Sequence, residues 1–154
     1  MLKKALIALL IVVVVACAIA ATKPDDFSVS RTATFTAPAE TVFAQVNDLQ
    51  KWNAWSPWAK LDPNAKNSFE GPQAGVGAVM KWAGNMNVGE GSMTITESRP
   101  NELVTFRLDF LKPFEATNTA EFTFKPEGNQ TVVTWSMHGK SQVHQQTDEP
   151  GFRL

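Results

Sequence analysis

Residues Val104-Thr105-Phe106-Arg107-Leu108-Asp109-Phe110 and, after Lys112-Pro113, Phe114-Glu115-Ala116-Thr117-Asn118-Thr119-Ala120-Glu121-Phe122-Thr123-Phe124-Lys125 change chemical character at almost every step. A repeat of two residues is that of a β-strand, whose side chains point alternately to opposite faces. Val104, Phe106, Leu108 and Phe110 share one face of the first strand. Phe114, Ala116, Asn118, Ala120, Phe122 and Phe124 share one face of the second, and threonines and charges take the other. Glu127-Gly128-Asn129 turns the chain into Val133, Trp135 and Met137, opposed by Val132, Thr134 and Ser136. Connections this short join antiparallel strands. One face of such a sheet is solvated and the other apolar, so a further layer must cover the apolar face.

Toward the N-terminus, Val76, Ala78, Met80 and Trp82 face one way, as do Gly91, Met93 and Ile95, with turns at Gly84-Asn85 and Arg99-Pro100-Asn101. Trp52-Asn53-Ala54-Trp55-Ser56-Pro57-Trp58 holds three indoles within seven residues. Pro38 suits a first helical turn and Glu40 the positive end of a helix dipole. Val42, Val46 and Leu49 follow at helical spacing, so residues 38–49 read as one amphipathic helix. Phe27, Val29, Arg31, Ala33 and Phe35 alternate with serine and threonine as a first strand. The order is strand, helix, then about six strands in a meander, an α+β arrangement.

Composition narrows the function. The chain has 154 residues, room for one domain and its appendages. Lys3, Lys4 and Lys23 give residues 1–24 a charge of +3, so the remainder carries −4 of the net −1. A mildly acidic domain lacks the basic footprint of nucleic-acid binding, and no nucleic acid is expected as a partner. Cys17 is the only cysteine and His138 and His144 the only histidines, so neither a disulfide, a thiol active site nor a His-rich metal site is expected, and no cofactor. Gly75-Val76-Gly77 and Gly89-Glu90-Gly91 read as hairpin glycines rather than a phosphate loop.

Lys3 and Lys4 precede a run from Ala5 to Ala21 that is apolar apart from the thiol of Cys17. As a helix it would span about 26 Å, within reach of one membrane crossing. Three readings stand: a retained signal anchor, a signal peptide cleaved near Ala18-Ile19-Ala20, and a lipoprotein acylated at Cys17. All three place the domain on the outer side of a bacterial cytoplasmic membrane. Residues 1–24 are thus expected to be the anchor and residues 25–139 the domain.

The order of elements, with Thr36-Ala37-Pro38-Ala39-Glu40-Thr41-Val42-Phe43 opening the helix and the tryptophan stretch following it, resembles the START-like (SRPBCC) superfamily, and within it the bacterial polyketide cyclase/dehydrase type. Lys112-Pro113-Phe114-Glu115-Ala116 and Ala120-Glu121-Phe122-Thr123-Phe124 resemble the same subgroup. The resemblance implies a helix-grip fold: a curved antiparallel sheet of about six to seven strands, a short helical insertion after strand 1, and an apolar cavity for a lipid or other hydrophobic small molecule. It also implies an amphipathic C-terminal helix, whereas residues 140–154 are polar and broken by Pro150-Gly151. The expectation is a truncated or frameshifted product, or a sheet face covered by a protein partner, a second copy or the bilayer.

Trp55, Trp58, Met80, Trp82, Met93, Asn118, Trp135 and Met137 are the expected cavity residues; for each apolar one, plain core packing is the stronger competing reading. Asn118 is the informative one. Parity turns its amide inward among phenylalanines, where it needs a ligand head group, a water or a strand carbonyl. Arg31 also has inward parity, near an edge. No catalytic residue is assigned, because Asp109, Glu115 and Glu121 face outward, Glu97 has inward parity near a strand end, and neither histidine has a visible partner. A membrane-tethered binding module is the leading reading. A cyclase/dehydratase-like enzyme and a protein-interaction module of the cell envelope are the alternatives.

Overall fold

The computed structural model describes residues 26–140. The expectations placed on Ala5–Ala21, on Cys17 and on residues 141–154 lie outside the described residues. Among these residues no helix is long and apolar enough to cross a membrane.

The elements are β1 (Asp26–Phe35), α1 (Ala39–Asn47), a 3-10 turn (Leu49–Lys51), α2 (Trp52–Trp55), α3 (Pro57–Leu61), β2 (Lys66–Glu70), β3 (Val79–Ala83), β4 (Glu90–Arg99), β5 (Leu103–Lys112), β6 (Ala116–Glu127) and β7 (Gln130–Lys140). They form one curved seven-stranded antiparallel sheet in the order β1-β7-β6-β5-β4-β3-β2. Strands β2 to β7 are a continuous meander. The helical stretch after β1 carries the chain from one sheet edge to the other. β2, Lys-Asn-Ser-Phe-Glu, has almost no apolar alternation; it exists because it closes an edge, pairing Phe69 with Met80 and Asn67 with Trp82.

The registers lay the inward side chains in rows across the strands. Phe124 and Val133 form the row nearest α1, and Phe43 packs edge-on against Phe124 at 5.5 Å. The next row runs Arg31, Trp135, Phe122, Val104. Below it come Val29, Met137, Ala120, Phe106 and Ile95, and below those Phe27, Gly139, Asn118, Leu108, Met93, Met80 and Phe69. Trp52 covers Phe106 and Phe122 at 5.3 and 5.8 Å, so the core lies under the helices. Among the described apolar side chains of the lower rows, only Phe27, Val29, Leu108 and Met137 are left half-buried, apart from the edge residue Phe69.

The tryptophan stretch folds as two short helices, and its first two indoles serve α1. The last carbonyls of a helix have no intrahelical donor. Here Trp52 Nε1 donates to the Val46 carbonyl at 2.8 Å, Trp55 Nε1 to that of Gln45 at 3.1 Å, and the Gly75 amide to that of Asn47 at 3.2 Å. At the other end of α1, the buried Thr131 hydroxyl donates to the Ala37 carbonyl at 2.8 Å and ties β7 to the helix entrance.

Four sequence expectations are corrected. The helix ends at Asn47, and Leu49 belongs to the 3-10 turn that Asp48 caps by accepting from the Gln50 amide. Val76 precedes β3 and is 59% exposed, because the positive φ angles of Gly75 and Gly77 make this segment a turn. Phe114 is also 59% exposed, since it lies in the hairpin before β6 starts at Ala116. Glu97 points outward: a bulge at Thr96 shifts the register, so Glu97 lies opposite Thr105 and Ser98 turns inward to donate to Asn47 Oδ1 at 2.8 Å.

Candidate functional site

The part of the concave face that the helices leave uncovered is the candidate site. Its floor is built from Phe27, Val29, Leu108 and Met137 of the two lower rows and from Trp82 and Phe110 of the row beyond them, all half-buried. At the strand ends this floor runs into a cleft of about 740 Å³, where Phe27, Phe110, Ala116 and Gly139 meet Asp109, Thr117 and His138 from the convex side. The cleft forms where the β5–β6 hairpin reaches past the ends of β1 and β7.

Asn118 is 8% exposed, and its Oδ1 is buried without a hydrogen-bond partner among the described residues. The carboxamide lies over Gly139, where a Cβ would collide with Oδ1 and come within 2.7 Å of Cγ. Gly139 is therefore glycine to make room for this amide, with the Phe27 ring on its other side. A buried amide oxygen without a donor costs about 1–3 kcal/mol. The polar group is thus held buried beneath an otherwise apolar floor at a cost in stability.

Trp82 lies along the other half of the floor. Its ring packs edge-on against Phe110 at 5.8 Å, and its Nε1 donates to the Val88 carbonyl at 3.1 Å. A Cβ on Gly91 would lie 2.5 Å from this indole and 2.6 Å from the Asp109 carbonyl. Gly91 is thus an in-strand glycine that admits the Trp82 ring, and not a hairpin residue as its spacing from Gly89 suggested. Neither Gly91 nor Gly139 stood out in the sequence as a site residue; both lie at inward parity beside a bulky or polar side chain, and that is the signal that marks them.

The remaining expected residues separate into two groups. Met80 and Met93 are buried in the core, paired across β3 and β4. Trp55 is half-buried, 4.7 Å from Trp52 and edge-on to Phe122 at 6.3 Å. Trp135 and Met137 border the open floor on β7, and Trp58, 50% exposed, stands over Trp135 with ring centroids 6.4 Å apart. An orienting role for indole N–H groups is narrowed accordingly. Those of Trp55 and Trp82 are engaged by backbone carbonyls, whereas those of Trp58 and Trp135 make no hydrogen bond among the described residues.

The titratable candidates stay off the apolar floor, although Asp109, Glu115 and His138 line the adjoining cleft. Asp109 accepts from Arg107 and Thr117 on the convex face, Glu97 pairs with Arg99 at 3.2 Å, Glu115 and His138 are exposed, and Glu121 lies opposite Ser136. Among the described residues no group of three or more His, Cys, Asp or Glu is placed to hold a metal ion.

Residues 26–151 match the sequence model of the family described as "Polyketide cyclase / dehydrase and lipid transport". No curated protein matches the chain. Among solved structures, protein CV1439 from Chromobacterium violaceum superposes with a TM-score of 0.56 at 15% identity, covering 73% of this chain and 79% of its own. CalU16 from Micromonospora echinospora gives 0.54 at 17% identity, covering 81% and 68%. Ginseng major latex-like protein 151 from Panax ginseng gives 0.56 at 13% identity, covering 81% and 85%.

Proposed function

Because the chain belongs to the polyketide cyclase/dehydrase and lipid transport family, with its START-like fold, we propose that it is a binding module for a lipid or other hydrophobic small molecule held on the concave floor. The observation that carries this reading is Asn118, a buried carboxamide without a partner among the described residues, surrounded by half-buried apolar side chains. A ligand that buries its apolar body on Trp82, Leu108, Phe110 and Met137 gains the hydrophobic term. A polar atom on that ligand, direct or through a water, satisfies the amide once the Phe27 ring beside it gives way, since Oδ1 itself is buried.

An enzymatic reading of the cyclase kind needs an acid–base pair reaching the ligand. The bulge at Thr96 takes Glu97 off the concave face, and no inward-facing strand position among the described residues carries a carboxylate. Binding without bond chemistry is the reading these observations favour.

Titration of the full-length chain with a fluorescent lipid probe tests it. Binding is expected, weakened about fivefold to tenfold by Asn118→Leu, the equivalent of one lost hydrogen bond, and weakened further by Trp82→Ala. A chain that binds no apolar probe ends this reading.

We further propose that Ala5–Ala21 tethers the domain to the outer side of a bacterial cytoplasmic membrane, on the strength of its unbroken apolar run behind Lys3 and Lys4. The expressed chain is then expected to stay with the membrane pellet in alkaline carbonate and to be digested by protease added to spheroplasts. Release by carbonate, or protection from the protease, would overturn the tether.

A further inference from the structure

Arg31 is anomalous. The inward column of β1 reads Phe27, Val29, Arg31, Ala33, Phe35, so one cation stands among apolar side chains on the face that the proposed ligand occupies. The other described arginines are matched: Arg99 lies 3.2 Å from Glu97 and Arg107 lies 3.0 Å from Asp109. Arg31 has no carboxylate partner among the described residues, and its Nη1 donates to the neighbouring Ser30 carbonyl at 2.8 Å. That leaves most of a five-donor guanidinium turned to solvent.

Its neighbours have the same deficit. Arg31 lies directly opposite Trp135, and the Trp135 ring is 6.4 Å from that of Trp58. These are the two indoles at the site whose N–H groups find no acceptor among the described residues. Among the described residues the mouth therefore presents donors of positive or neutral character and no carboxylate partner for Arg31. Such a set is complementary to an anionic oxygen, and arginine is the side chain best shaped to take carboxylate or phosphate. From Arg31 the column continues through Val29 to Phe27, roughly 13 Å along the strand, and ends at the cleft that Phe27 and Gly139 line.

We propose that the Arg31–Trp58–Trp135 mouth takes the anionic head group of a single-chain amphiphile, whose tail lies down the Val29–Phe27 track toward Asn118. This rests on the apolar-ligand reading above and adds a head-group charge and a direction to it. The tail supplies most of the affinity, and Arg31 supplies the selection between heads.

Calorimetric titration of the full-length chain with decyl phosphate, decanol, decyltrimethylammonium and inorganic phosphate tests the proposal. Decyl phosphate is expected to bind about tenfold tighter than decanol, the scale of one charge-assisted hydrogen-bond pair, and decyltrimethylammonium more weakly than either. Arg31→Gln is expected to bring decyl phosphate to the level of decanol, and Arg31→Lys to keep part of the preference. Equal affinities of the wild-type chain for decyl phosphate and decanol, or a preference that survives Arg31→Gln, overturn the assignment while leaving the apolar site standing. Inorganic phosphate binding as tightly as decyl phosphate makes this a free-anion site and overturns the amphiphile. Failure of every decyl compound to bind removes the apolar-ligand reading and this inference together.

Discussion

Phe106→Ala is expected to lower the unfolding free energy by about 3–5 kcal/mol, the range for a large aromatic truncated inside a packed core. Phe106 is 0% exposed and sits at the centre of β5, paired with Ala120 on β6 and Ile95 on β4. Trp52 packs edge-on above it at 5.3 Å and Phe122 beside it at 5.9 Å. Those contacts fix the size of the effect. Trp52 is held through its indole bond to Val46, so it cannot drop into the space the ring leaves, and Ala120 opposite is too small to fill it. The void is therefore retained, and the transfer and cavity terms add. Urea unfolding followed by tryptophan fluorescence measures the change. A loss below about 1 kcal/mol, the ordinary cost of a point substitution, would mean that the helices do not clamp this row.

Much of this arrangement was legible from period-two alternation, because β5, β6 and β7 each bury one face and expose the other. Asn118 at inward parity and the outward placement of Asp109 and Glu121 follow from counting by two, and the turn residues Gly84-Asn85, Arg99-Pro100-Asn101 and Glu127-Gly128-Asn129 mark the hairpins between. What escaped the sequence was whatever breaks that count or needs a distant partner. Parity puts Glu97 inward because Thr94-Ile95-Thr96-Glu97-Ser98 is nearly all polar after Ile95, so nothing in its pattern marks an extra residue. The bulge shows only when the Thr96 hydroxyl is seen donating to the Thr105 carbonyl across the strands. Nothing in the pattern marks β2, because an edge strand needs little apolar surface and Lys66 to Glu70 supplies only Phe69. The tryptophan N–H groups escaped for a different reason. Which indole is free depends on where the Gln45, Val46 and Val88 carbonyls lie, and helix ends and hairpins set that together. Arg31 was legible as inward but not as unmatched, since that depends on Arg99 and Arg107 finding carboxylates.

The Asn118–Gly139 pair gives the second large effect, and its sign reverses with the neighbour. Gly139→Ala is expected to cost about 1–3 kcal/mol, the range for forcing an extra group into a filled site. The new methyl meets the Asn118 carboxamide, and the Phe27 ring at 3.2 Å leaves it no room on the other side. The backbone itself has no objection, for Gly139 is not among the residues of positive φ, and in a strand interior alanine is otherwise the better residue. With Asn118→Ala the amide is gone, and so is its unmatched oxygen. In that background Gly139→Ala is expected to be neutral or stabilising, which makes the coupling between the two positions comparable to the full cost of the single change. A double-mutant cycle by urea unfolding reads it directly. Additive effects would mean that the glycine answers to something other than the amide. If the cycle closes as expected, the chain keeps a glycine in β7 and an unmatched carboxamide in β6 at the expense of stability that two alanines would recover. That expense is understandable if the amide serves a bound molecule, so the probe affinity of the double mutant decides the matter. An affinity equal to that of the native pair would leave the polar floor without a functional reason.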